Sequence, residues 1–131
     1  MSVVVAYTPD AYGEAALSHG AAEAKHRQTG LVVVDSTRGD AFIDTKHANA
    51  EEMEVMLAGL AESGIDVTVR RDVTADLAHF VVDVAKGTDA TLVVVGIRDR
   101  SPVGKALIGS VAQRIVLDAP CPVLTVKPAA A

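Results

Sequence analysis

The chain has 131 residues, 50% hydrophobic and 22% charged, which is the span of one domain and lies far from the low-hydrophobicity, high-charge composition of disordered chains. Aromatics make up 3%, Trp is absent and the formal net charge is -5, so stacking on exposed bases and adhesion to polyanions are both disfavoured. The single cysteine, Cys121, has no partner for an internal disulfide, and no run approaches the roughly 18 apolar residues of a membrane span; the expectation is a cytoplasmic protein with no nucleic-acid and no membrane partner.

Val3, Val4 and Val5 open the chain as a β-branched run, and Leu31–Val34, Val67–Val69, Leu92–Val95 and Val123–Val126 repeat that texture. Unbroken apolar runs are what strands show when helices cover both faces of a sheet. Between the first two runs, Leu17, Ala21 and Ala24 share one helical face. The polar stretch from Asp35 to Ala48 reads as a long loop. Met53, Leu57 and Leu60 then mark a second helix over 50–63, with Asn49 and Glu52 as a capping box and Gly64 as a left-handed stop. Thr74 is positioned to cap a third helix, whose stripe is Leu77, Val81 and Val84 and whose stop is Gly87. Ser110 and Gln113 form another capping-box pair, opening a fourth helix that ends before Pro120. Pro128–Ala131 is a short tail.

This alternation predicts an α/β protein: a five-stranded parallel open sheet with four helices on both faces, Rossmann-like, as one domain over 1–131. The last strand, Val123–Val126, is expected at a sheet edge with unpaired backbone groups, and a proline at Leu124 is expected to remove one outward donor.

In such a sheet a ligand pocket lies beyond the carboxyl ends of the strands, where the winding reverses. Tyr7–Asp10, Asp35–Asp40 and Gly96–Ser110 converge there. Gly96 permits close approach, and Gly109 and Ser110 sit where the first amides of a helix point outward, a phosphate-binding geometry. Arg98, Arg100 and Lys105 add positive charge to the same loop. The alternative is that both glycines serve only turns and Ser110 only caps its helix. A P-loop is excluded, because Asp99 fills its first glycine slot and Ala106 follows Lys105; a dinucleotide fingerprint is excluded because the first turn reads Tyr7, Thr8, Pro9, Asp10.

The stretch GIRDRSPVGKALIGSVAQRIVLDAPCPVLTVK, Gly96 to Lys127, resembles the C-terminal signature of the universal stress protein family, and the likeness extends over the whole chain. Nucleotide-binding members carry Gly, two residues, Gly, nine residues, Gly and Ser or Thr; Gly96, Gly109 and Ser110 match that spacing, and Ala119–Val123 (APCPV) matches the approach to the last strand. VAYTPDAYGEAAL resembles the family's first strand, turn and helix. The resemblance implies the sheet of the adenine nucleotide alpha hydrolase type. It implies adenine held by the first turn and the end of the second strand, the first loop glycine near ribose, and the second glycine and the Gly-Ser pair on the phosphates. Carried over residue by residue, the implied nucleotide-binding positions are Ala6, Tyr7, Thr8, Ser36, Val95, Gly96, Asp99, Arg100, Gly109, Ser110 and Val111. Two positions depart: the second loop glycine is Asp99, and the usual Asp ending the first strand is Thr8. Asp99 either repels phosphate or, with Mg²⁺ between them, acts as its ligand. The ligand implied is ATP or a related adenine nucleotide, with or without Mg²⁺, and the assembly implied is a homodimer paired through Val123–Val126.

His19, His26, His47 and His79 show no spacing that makes a metal or catalytic set, and Ser18, Ser36 and Ser101 lack a nucleophile-elbow context. Asp40 and Asp44 read as loop polarity or, alternatively, metal ligands. Cys121, between two prolines, reads as a packed small residue. No catalytic residue is assigned. The leading reading is a nucleotide-binding stress or signalling protein; the alternatives are a ligand-free dimerisation module and a slow ATPase.

Overall fold

A computed structural model of the chain describes residues 1–37, 54–73, 76–97 and 109–128. The sequence runs β1 (Ser2–Tyr7), α1 (Ala11–Arg27), β2 (Gly30–Thr37), α2 (54–62 of it described), β3 (Val67–Val73), α3 (Leu77–Gly87), β4 (Ala90–Gly96), α4 (Ser110–Asp118) and β5 (Val123–Val126). All five strands are parallel, in the order β3-β2-β1-β4-β5. The expected α/β sheet with four helices is what forms. Chain order turns back at β1, whose neighbours are β2 and β4, so the crevice of the reversal opens at the carboxyl ends of β1 and β4.

Alternation along the strands builds two cores. Val3, Val5, Leu31, Val33, Leu92 and Val94 pack under α1 and α2, against Ala16, Leu17, Ala21, Ala24 and Leu60. Val4, Ala6, Val32, Val34, Val93 and Val95 pack under α3 and α4, against Ala78, Val81, Ala85, Ala112 and Ile115. Val3, Val4, Val5, Val33, Val34, Val93 and Val94 are fully buried, each contributing roughly 1.5–3 kcal/mol relative to exposure. That density fixes the central strands and hence the strand ends that frame the crevice.

Several boundaries differ from the sequence expectation, each for a local reason. Asp35 and Ser36 belong to β2, because β3 extends to Val73 and pairs Arg71 with Asp35 and Asp72 with Ser36. The cap of α3 is Asp76, whose Oδ1 accepts from the His79 amide at 3.0 Å; with β3 reaching Val73, Thr74 stands too early in the chain, and it lies outside the described residues. Gly87 ends α3 in helical conformation, and the left-handed residue is Asp89, φ 53°. Gly109, extended at φ -65° and ψ 159°, takes the N-cap position of α4, so Ser110 is already helical and the Ser110–Gln113 capping box does not form. Asn49, Glu52, Met53 and most of the loop expected over 35–48 lie outside the described residues, as do 129–131 of the tail.

β5 stands at the sheet edge as expected, but the outward donors are not at Leu124. The Pro122 carbonyl accepts from the Val93 amide at 3.1 Å and the Val126 carbonyl accepts from the Ile97 amide at 2.8 Å. Residues two apart in a strand point their backbone groups to the same side, so Leu124 also faces β4. Val123 and Thr125 face outward.

Candidate functional site

The first turn is built around Asp10. Its carboxylate caps α1: Oδ1 accepts from the Gly13 amide at 3.0 Å and from the Thr8 hydroxyl at 2.7 Å, satisfying one of the orphan donors of the helix start. Gly13 is buried, and a Cβ there would land on the Thr8 backbone carbonyl. The turn therefore presses tightly on the end of β1. It presses equally on β4, because a Cβ at Gly96 would run into the Tyr12 carbonyl. Gly96 is thus a packing necessity for the β1–α1 turn before it is anything for a ligand. Neither Gly13 nor the cap at Asp10 stood out in the sequence, although Asp directly before a helical pattern is a strong N-cap signal.

Around this turn the structure gathers most of the implied positions at one pole. Ala6 is in register with both Val34 and Val95, and Tyr7 with Asp35. The side chains of Ala6, Tyr7 and Val95 are buried in the two cores, so these three can offer a ligand backbone groups at the strand ends. Thr8 is half-buried one residue beyond β1. Ser36 is the penultimate residue of β2. Asp35, close by, accepts from Arg71 Nε at 3.3 Å; its side chain is 17% exposed against 50% for Arg71, so the pair anchors β3 to the rim of the crevice.

α4 begins at the same pole, since β4 and β5 are parallel and α4 runs back between them. Gly109 contributes no side-chain cap, and the first intrahelical bond runs from the Gln113 amide to the Gly109 carbonyl at 2.9 Å. The amides of Ser110, Val111 and Ala112 consequently have no partner among the described residues, and Ser110 and Val111 are exposed. A Cβ at Gly109 would meet no described atom within 4 Å. Free amides, the helix dipole and an open approach together make an anion-accepting end. Arg98, Asp99, Arg100 and Lys105 lie outside the described residues.

The remaining candidates separate from this pole. Among the described residues no three His, Cys, Asp or Glu side chains come together in a way that could hold a metal ion, and Asp40, Asp44, His47 and Ser101 lie outside them. His19, His26 and Ser18 are exposed on α1. His79 Nε2 meets Asp83 Oδ2 at 3.1 Å one turn along α3, a pair on the surface where such contacts contribute little. Burial pushes the Cys121 thiol up from its ordinary value, with the charge of Arg27 pulling partly the other way, which suits a packed side chain. A groove of about 410 Å³ lies at the opposite pole, between Lys25, Gln28, Thr29, Gly64 and Asp66. It faces the carboxyl ends of α1 and α2, whose polarity disfavours anions.

An α/β protein with a tightly packed first turn and an uncapped, glycine-fronted helix start at its sheet reversal is the class that this geometry defines. The chain matches the model of the universal stress protein family over residues 1–127, and it belongs to that family. It is 46% identical to a universal stress protein of Mycolicibacterium smegmatis, over 96% of this chain and 97% of that one. A universal stress protein from Archaeoglobus fulgidus superposes with a TM-score of 0.78 at 30% identity, covering 95% and 97% of the two chains. A structure from the same organism, of the universal stress protein in complex with dAMP, superposes with a TM-score of 0.70 at 26% identity, covering 95% and 96%.

Proposed function

We propose that this chain binds an adenine nucleotide, ATP or a close relative, at the carboxyl pole of its sheet and serves as a nucleotide-responsive stress or signalling protein of the cytoplasm. The observation that carries this reading is the start of α4, where three amides behind Gly109 have no partner among the described residues, at the pole where the sheet reverses. The dAMP complex of the Archaeoglobus fulgidus relative supports the same ligand class. In this reading Gly109, Ser110 and Val111 receive phosphate. Ala6, Tyr7, Thr8 and Ser36 border the base, Val95 and Gly96 the sugar, and Asp99 and Arg100 complete the phosphate loop. Gly109→Val tests the assignment: Gly109 has an ordinary extended backbone and an open Cβ direction, so the variant folds, while the added branches block the amides. Calorimetry is expected to show ATP binding lost in the folded variant; unchanged affinity would remove the phosphate assignment.

The reading includes a homodimer through β5. The two sheet edges differ in character. β3 carries exposed Arg70, Arg71 and Asp72, charges that discourage edge pairing, whereas β5 turns the backbone of Val123 and Thr125 outward with no charged residue in the strand. Antiparallel pairing of β5 with its copy across a two-fold axis would satisfy those groups.

A further inference from the structure

The groove of about 410 Å³ at the amino pole is lined on one side by the end of α1, at Ala24, Lys25 and Gln28, and on the other by the passage from α2 into β3, at Ser63, Gly64 and Asp66. That volume is in the range of small-molecule pockets. Both helices stop there in the same way, each on a left-handed residue, Gln28 at φ 55° and Gly64 at φ 90°. The stops turn the backbone donors back into the helices: the amides of Gln28 and Thr29 donate to the carbonyls of Lys25 and Ala24, and those of Gly64 and Ile65 to the carbonyls of Ala61 and Leu60. The hydroxyls are spent as well, Ser63 Oγ donating to the Leu60 carbonyl at 2.7 Å and Thr29 Oγ1 to that of Met1 at 2.6 Å. What the two helix ends leave over are acceptors, since the carbonyls of Arg27 and Glu62 receive no backbone amide among the described residues.

Charge points the same way. Each helix end carries about half a negative charge; Asp66 adds one and Lys25 cancels one, so the groove holds about one net negative charge. Asp66 and Lys25 line the same groove without bridging each other, and neither has an ion-pair partner among the described residues. Beneath them the lining is apolar, with Ala24 fully buried and Ile65 buried. The Asp66 carbonyl accepts from the Leu31 amide at 2.8 Å, which ties the start of β3 to β2 and shapes the groove in advance of any ligand. We infer that this groove is a ligand site in its own right, for a small organic monocation of the primary-amine class, with its alkyl body over Ala24 and Ile65 and its ammonium beside Asp66 and the carbonyl ends of the helices. A primary ammonium offers three N–H donors and no acceptor, which matches a rim of spent donors and open acceptors. In place and in ligand charge this site is separate from the nucleotide site proposed at the carboxyl pole, and it stands whether or not that site does.

The probe is n-butylammonium, with n-butanol as its neutral counterpart, tetramethylammonium as a cation without N–H groups, and butanoate as the anion. An amide-resolved NMR titration of the unmodified chain reads both place and affinity. Saturable shifts are expected at the amides of Thr29, Gly30, Gly64 and Asp66 with n-butylammonium, weakening in high salt, with tetramethylammonium bound at least about threefold more weakly and no saturable shift from n-butanol or butanoate. Asp66→Asn keeps the backbone carbonyl that accepts from Leu31, and is expected to lower the affinity about threefold. Lys25→Gln removes the opposing charge, and is expected to raise it about twofold. Opposite signs from two changes in one groove are what a cation site requires. The inference is overturned if n-butylammonium gives no saturable shift at those amides, if n-butanol matches it, or if either folded variant leaves its affinity unchanged. Should Asp66→Asn fail to fold, Lys25→Gln decides alone: an affinity that does not rise overturns the inference.

Discussion

Replacing Gly96 and Gly109 in turn by alanine separates what two similarly spaced glycines do. At Gly96 the new Cβ collides with the carbonyl of Tyr12, a backbone atom that no rotamer change can remove. Restoring ordinary contact requires the β1–α1 turn and the end of β4 to part by roughly an ångström. Overpacking of that kind costs typically about 1–3 kcal/mol, and reduced freedom of the unfolded chain returns about 0.4–1 kcal/mol, leaving a net loss of about 1–2 kcal/mol. With an unfolding entropy of about 2.1 cal/mol/K per residue, a chain of 131 residues converts that loss into a fall in Tm of about 4–7 °C. At Gly109 the Cβ meets no described atom and φ is -65°; the poorer N-cap costs about 0.5–1 kcal/mol and reduced freedom of the unfolded chain returns about 0.4–1 kcal/mol, so stability should change by no more than a few tenths of a kcal/mol. Differential scanning calorimetry of both variants, backed by urea titrations, reads the contrast. A Gly96→Ala variant within about 0.5 kcal/mol of the parent, the usual range for neutral surface changes, would refute the packed interlock of turn and strand.

Three further outcomes follow from named residues. Because burial raises the pKa of Cys121, its thiolate is scarcer at neutral pH than that of a free thiol; alkylation by iodoacetamide should be slower than for glutathione, with its rate rising at higher pH than glutathione's, and equal rates would contradict the burial. Thr125→Pro removes an outward-facing donor of β5, whereas Leu124→Pro breaks a bond to β4; light scattering should give a folded monomer for Thr125→Pro, and a dimer that persists would count against edge pairing. If the proposed site sets Asp99 beside the phosphates, Asp99→Gly should tighten ATP binding in the absence of Mg²⁺ by removing a like charge; weaker binding of the variant in Mg²⁺ would point to Asp99 as a metal ligand instead.

The central strands were legible because burial on both faces leaves no polar position in their middles: Val3–Val5 and Leu92–Val95 could be nothing else in a chain this short. Their ends were not legible in the same way. β2 reaches Thr37 through Asp35 and Ser36, polar residues held in the sheet by pairing with Arg71 and Asp72, a tertiary effect with no trace in local pattern. Helix caps misled as well. Asp76 takes the cap of α3 because it directly precedes the helix and its carboxylate accepts from the His79 amide, and Gly109 takes that of α4 because Ser110 is already helical. Gly96, Gly109 and Ser110 marked in the sequence the end of β4 and the start of α4, and the structure puts them there. The lock between Thr8, Asp10 and Gly13 was not legible, since it depends on how closely α1 settles on β1, and only the collision of a Cβ at Gly13 or Gly96 makes that visible.

The central claim, an adenine-nucleotide site at the carboxyl pole, is tested most directly by native mass spectrometry of the purified protein, before and after addition of ATP. The account predicts one adenine nucleotide per chain, carried through purification or taken up to saturation, and its absence from the folded Gly109→Val variant. A chain that stays at its bare mass with ATP in excess would contradict it.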